Sequence, residues 1–190
     1  KIRIVWLAGI LIFYWLLFVL FKAPDYPGFG RYSMEGNISS YIDRTLLPGR
    51  LCCYGFGDNE GLLPTIAAAG TGLLGMLTGE LLLTNKKPMN KVYLMAVIGV
   101  ALLIIGQLWN LVFPINKNLW SSSFVCWVGG LSMLLMALFY LIIDVWNFQK
   151  WTFFFVVIGV NPITIYLAVK IIKWDNANKF FFQGIANLFP

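Results

Sequence analysis

The chain has 190 residues, 59% of them hydrophobic and only 12% charged, with a mean hydropathy of +0.78. These values exclude an ordinary water-soluble domain. The formal charge of +6 comes from basic residues scattered between apolar stretches, with no run longer than Lys86-Lys87, so nucleic acid is not an expected partner.

Five stretches carry no charge: 4–21, 61–79, 92–116, 118–143 and 151–169, each 18 to 26 residues long. About 20 helical residues cross the roughly 30 Å hydrocarbon core of a bilayer. Only helices and closed barrels satisfy their backbone in lipid, and these runs are continuous rather than alternating, so helices are expected. The expected fold is an all-α polytopic transmembrane bundle of about five full spans plus a truncated sixth, as one membrane domain over 1–190.

The first helix is expected over 3–21. A long connection, 22–60, follows and holds Asp25, Glu35, Asp43, Asp58 and Glu60 together with Arg31, Arg44 and Arg50. Its prolines and glycines make it irregular. Within it, 38–47 reads as a short amphipathic helix at the membrane interface, with Tyr41, Ile42, Leu46 and Leu47 apolar. The aromatics Tyr26, Phe29, Tyr32, Tyr41, Tyr54 and Phe56 argue that the connection is ordered over the helix ends.

The second helix is expected over 61–83. Its small residues include a Gly75-Met76-Leu77-Thr78-Gly79 step that lets another helix approach closely, either a neighbour or a second copy in a homodimer. A basic turn at 85–91 precedes a third helix over 92–113, stopped by Pro114. A fourth is expected over 119–143. The fifth, over 152–172, carries Asn161-Pro162, where a proline frees backbone carbonyls and kinks the helix. A polar tail, 174–179, leads to an apolar run beginning at Phe180. The chain starts at Lys1 and that last run is cut short at Pro190, so a C-terminal piece of a larger membrane protein is expected. The dense basic turn places 85–91 in the cytoplasm and 22–60 outside.

Chemistry has to come from few groups. There is no histidine, which removes the commonest general base and metal ligand. Cys52, Cys53 and Cys126 have no metal-site spacing, and no metal is expected. Glu80 and Asp144 end helices, where charges are solvated or paired. Gln107 and Asn110 share one face of the third helix at i and i+3, as packing glue or as lining of a path. Asn161 and Thr164 flank the expected kink. Asp58 and Glu60 precede the second helix. That position suits acids by the helix dipole and also suits carboxylates that bind sugar hydroxyls or an amine.

Four blocks in order resemble the heparan-α-glucosaminide N-acetyltransferase family. They are Leu47-Pro48-Gly49-Arg50 with Asp58-Asn59-Glu60-Gly61-Leu62-Leu63-Pro64-Thr65-Ile66, then Phe113-Pro114-Ile115-Asn116-Lys117-Asn118-Leu119-Trp120-Ser121-Ser122-Ser123-Phe124, then Asp144-Val145-Trp146, then Gly159-Val160-Asn161-Pro162-Ile163-Thr164-Ile165-Tyr166. The resemblance implies a multi-pass protein of a bacterial inner membrane, in a family whose bacterial members are associated with N-acetylglucosamine use or transport. It implies acetyl-CoA as a co-substrate, with no tightly bound cofactor, and an amino sugar as acceptor. It also implies that the essential histidine lies in a missing N-terminal half of the same protein.

On that basis Asp58, Glu60, Asn116, Lys117 and Asn161 are candidate substrate-binding residues. The Ser121-Ser122-Ser123 run would supply further donors, and no catalytic residue is assigned. A sugar transporter lined by Gln107, Asn110 and Asn161, and a non-catalytic membrane scaffold, are the competing readings.

Overall fold

The computed structural model describes residues 2–47, 51, 55–58 and 61–171. Glu60, Cys52, Cys53, the Pro48-Gly49-Arg50 part of the first block and the tail from 172 lie outside the described residues. The described residues are helical and contain no strand. They fall into two units, 1–141 and 142–190.

The first unit is a helical bundle. It contains α1 (Ile2–Leu20), the short α2 (Ile38–Leu46), α3 (Leu62–Leu83), α4 (Pro88–Trp109) and α5 (Ser122–Tyr140), the last running on into a wide π turn, Leu141–Val145. Four helices are long and apolar enough to cross a membrane: Ile2–Leu20, Leu62–Leu83, Pro88–Trp109 and Ser122–Val145. Large apolar side chains on their outer faces are exposed, as lipid-facing positions should be.

The third expected helix is displaced by four residues at each end. Pro88 tolerates the first helical position, because its missing N–H needs no partner there. At the other end the Asn110 side chain accepts the Ile115 N–H (2.8 Å), turning the chain before Pro114 is reached.

The helices approach where side chains are smallest. A Cβ on Gly130 would lie 2.7 Å from the Gly99 carbonyl oxygen, and one on Gly106 would lie 2.9 Å from the Trp127 nitrogen, so α4 and α5 meet nearly backbone to backbone. Between α1 and α3, Leu7 and Leu11 seat on Ala67 and Gly70. The Gly75–Gly79 step, expected to be a packing face, has open space over both glycines. It lines a groove of about 290 Å³ between α3 and α5, with Thr71, Thr78 and Ser132 among its walls. Glu80, expected to be solvated or paired, pairs with Arg3 across α1 and α3.

In the second unit the fifth expected span is two helices, α6 (Phe153–Val160) and α7 (Pro162–Ile171), bent by 82°. Pro162 has no N–H for the ladder and disfavours helical backbone before it, and Asn161 sits at φ −122°, ψ 48°. The kink expected here is a full break. Asn161 donates its side-chain amide to the Val157 carbonyl (3.0 Å), and Asn161, Thr164 and Asp144 are exposed.

Candidate substrate site at the loop end of the bundle

The ends of α1 and α4 and the starts of α3 and α5 lie at one end of the bundle, so the connections 22–58 and 110–121 share it. The described part of the first connection packs over the helix ends, with Tyr26, Phe29, Tyr32 and Phe56 in ring contacts. Arg31 donates to the Val19 carbonyl (2.6 Å) at the end of α1. The Tyr32 hydroxyl donates to the Val112 carbonyl (2.9 Å), and its ring packs on Phe113. Burial raises the Tyr32 pKa above the usual phenol value against the lowering effect of the neighbouring Arg31.

α2 forms where expected, but with its polar face inward. The Asn37 side chain caps it by accepting the Ser40 N–H (2.7 Å). Ser39, Ser40 and Asp43 are buried, whereas Leu46 is exposed. Arg44 clamps the segment around α2. Its guanidinium forms a two-pronged pair with Asp25 (2.9 and 3.0 Å) and donates to the carbonyls of Phe56 (2.6 Å) and Glu35 (3.0 Å). It also lies over the Tyr26 ring, 5.0 Å from its centroid.

Asp43 reaches the other way, to the start of α3. Its carboxylate accepts the N–H of Leu62 (3.1 Å) and the N–H of Asp58 (3.3 Å). Gly61, the N-cap of α3, has no side chain to satisfy these donors, and a Cβ there would stand 2.6 Å from the Asp43 carboxyl carbon. Burial pushes the Asp43 pKa above the ordinary carboxylate value. The two N–H bonds and Arg44 pull against that shift, and the Asp58 charge adds to it. Asp58 itself is half-buried beside this junction.

The second connection is organised by uncharged groups. The Asn116 side-chain oxygen accepts the N–H groups of Asn118 (2.8 Å) and Leu119 (3.4 Å), while its backbone N–H donates to the Ser121 hydroxyl (3.1 Å). Its side-chain nitrogen takes no part in this turn. Lys117 is exposed. Trp120 has left-handed backbone, φ 48°, which is uncommon for a bulky residue. The indole N–H donates to the Thr71 hydroxyl (3.1 Å), and the ring packs on Phe124.

The three serines do not provide substrate donors. All are fully buried. Ser122 donates to the Leu11 carbonyl (2.7 Å), Ser123 to the Phe113 carbonyl (2.6 Å), and Ser121 caps α5 at Phe124 (3.3 Å). Desolvated hydroxyls bond to the nearest carbonyls, and here those belong to the bundle. Gln107 is exposed, and the Asn110 side-chain oxygen accepts the Ile115 N–H.

Sequence reasoning therefore found Asp58, Asn116 and Lys117 at one end of the bundle, but not the residues that hold them. Asn37 three before Ser40 is a legible cap. Asp43 and Arg44 looked like two more charges in an acidic connection.

These features define a multi-pass helical membrane protein with Asp58 held at the start of one span. Among curated proteins, the chain is similar to heparan-alpha-glucosaminide N-acetyltransferase of Homo sapiens, 29% identical over 165 residues, covering 76% of this chain and 25% of that protein. It is 28% identical to the Mus musculus protein of the same name over 157 residues, 73% and 24% of the two chains. The two proteins carry the name of the family that the four blocks resemble. The chain spans about a quarter of the length of these curated relatives. No family model matches the chain, and no solved structure matches it.

Proposed function

We propose that this chain is the acceptor-binding part of a membrane acetyltransferase that moves an acetyl group from cytoplasmic acetyl-CoA to the amino group of an amino sugar at the loop end. In this reading the loop end is outside and the basic turn at 84–87 is cytoplasmic. Transfer needs a base for the amine and donors for the tetrahedral oxyanion. The base is the histidine that the family resemblance places elsewhere in the longer protein. Asp58, held at the start of α3, carries the reading. Asp58 and Glu60 hold the sugar through its hydroxyls or its ammonium, with the Asn116 side-chain nitrogen and Lys117 as rim donors. The names of the curated relatives supply the amino-sugar class.

The 82° break at Asn161-Pro162 favours a second reading, a permease, since broken helices line transport sites. The full-length protein in sealed vesicles separates the two. Acetylation of a glucosamine-terminated acceptor that depends on acetyl-CoA supports the enzyme. Uptake of N-acetylglucosamine without acetyl-CoA supports the permease. Asp58→Ala should cut acetylation at least about 100-fold with normal insertion, a loss equivalent to roughly 2.7 kcal/mol; wild-type rates would remove Asp58 from the site. Asn85 and Gly28 are both exposed. Cysteine at Gly28 should label from outside and cysteine at Asn85 should not. The reverse pattern overturns the orientation.

A further inference from the structure

We propose that Asp43 is a positioning residue for the acceptor: it fixes the backbone of Asp58 and the start of α3 so that Asp58 is held beside the first turn of that helix. The inference rests on the reading that Asp58 binds the acceptor.

A carboxylate only 1% exposed is costly unless its oxygens are bonded. Both Asp43 oxygens accept backbone N–H groups of the acidic segment, and one of those groups belongs to Asp58 itself. The other belongs to Leu62, the first residue of α3, whose N–H has no helical partner. A helix start is ordinarily capped by its own N-cap side chain. Here the cap position is glycine, and the cap arrives from another helix, 19 residues earlier in the chain.

Gly57 and Gly61 both sit against α2 with almost no clearance. A Cβ on Gly57 would stand 2.9 Å from the Ser40 Cβ, and one on Gly61 would stand 2.6 Å from the Asp43 carboxyl carbon. Gly61 has φ −64°, so space rather than backbone conformation demands glycine there. On the far side of Asp43, Arg44 ties α2 to Asp25 and to the carbonyls of Glu35 and Phe56. Asp58 is therefore held from both sides, by Asp43 of α2 through its N–H and by the α3 N-cap Gly61, whose N–H donates to the Asp58 carbonyl (3.2 Å). A local cap would stabilise the helix equally well, but it would not tie the Asp58 N–H to α2.

The test uses the full-length protein in vesicles, with acetyl-CoA and a glucosamine-terminated acceptor. Asp43→Asn keeps the size but turns an amino group toward one of the two N–H donors. It should raise the acceptor KM about 10- to 100-fold, the range for a lost hydrogen bond to a charged group. The KM for acetyl-CoA and the rate at saturating acceptor should stay within about twofold of wild type. A merely structural role would lower the amount of folded protein and hence the maximal rate, with both KM values unmoved. Gly61→Ala presses on the carboxylate without removing it and should show the same selective rise, which keeps the test open if Asp43→Asn does not fold. A wild-type acceptor KM in a folded variant of either kind overturns the proposal. Asp58→Ala separates the layers. If it too leaves the acceptor KM unchanged, the Asp58 reading falls with it; if it alone raises the KM, only the role of Asp43 falls.

Discussion

The two connections at the loop end solve the same problem with different chemistry. The 22–58 connection uses charges: Asp43 on the start of α3, and Arg44 on Asp25 and two carbonyls. The 110–121 connection uses hydroxyls and an indole that donate to backbone carbonyls or to another hydroxyl, and amide oxygens that accept backbone N–H groups. Its bonds reach well into the bundle: Tyr14 of α1 donates to the Leu119 carbonyl (2.5 Å), and Trp120 meets Thr71 more than two turns into α3. At that depth a neutral group satisfied by a carbonyl is tolerable, whereas a charge is expensive. The difference teaches where a ligand site belongs. The 110–121 connection has its serines buried and bonded to the bundle, while the described part of the 22–58 connection ends on a partly exposed Asp58.

Arg44→Ala should break this comparison most. It leaves Asp25 and two carbonyls without their donor, in a place where the Arg44 side chain is only 16% exposed. A loss of about 2–3 kcal/mol is expected, below the full cost of breaking a buried pair because Asp25 is partly solvated. A fall in the melting temperature of the detergent-solubilised protein reads it; an unchanged melt would mean that the clamp is idle.

Ser123→Ala should cost less, about 1–2 kcal/mol, for the buried Phe113 carbonyl left without its donor. It should leave acetyl transfer at the wild-type level per folded molecule. A selective loss of transfer would return the serines to the site.

Asn116→Asp sharpens the contrast within one residue. The oxygen that closes the turn is retained, and the side-chain nitrogen is replaced by a second oxygen, which turns a donor into a charged acceptor. Stability should change by less than about 0.5 kcal/mol. Transfer should fall about tenfold if that nitrogen donates to the acceptor, a difference of roughly 1.4 kcal/mol. Equal transfer would make Asn116 a turn residue alone.

Much of this was legible in the sequence. The hydrophobic runs located α1 and α3 to within a residue, because a span leaves an unbroken apolar record. They mislocated both ends of α4, because Pro88 is compatible with a helix start and Asn110 stops the helix by a side-chain bond rather than by apolarity. Asp58, Asn116 and Lys117 were visible as polar residues at span ends. Asp43 was not: its role depends on a contact 15 to 19 residues away and on the absence of side chains at Gly57 and Gly61. The Gly75–Gly79 step has no close neighbour among the chain's described residues. Small residues permit a close approach, but here α1 takes the Ala67 and Gly70 side of α3, and Leu7 and Leu11 fill it.

The smallest expected effect is a pH dependence that distinguishes Asp43 from a carboxylate stabilised by a salt bridge. Burial is the largest influence on Asp43 and raises its pKa above the ordinary 3.8. The N–H groups of Leu62 and Asp58 and the Arg44 charge oppose the rise, and the Asp58 charge assists it. The folded protein then holds this proton more tightly than the unfolded chain. The corresponding stability is fully present below pH 3.8 and is lost as pH rises through the elevated value. Acidification from neutral pH into that window should therefore favour the wild-type fold relative to Asp43→Asn, which never ionises. Protonation also withdraws a charged acceptor from the Asp58 and Leu62 N–H groups, so the acceptor KM should rise in the same window in which the melt improves. Melting temperatures of the two proteins, taken in parallel from neutral pH downward, measure the effect. A difference that stays flat, or that turns against the wild type on acidification, would mean that the N–H bonds and Arg44 outweigh burial and that Asp43 behaves as an ordinary stabilised carboxylate.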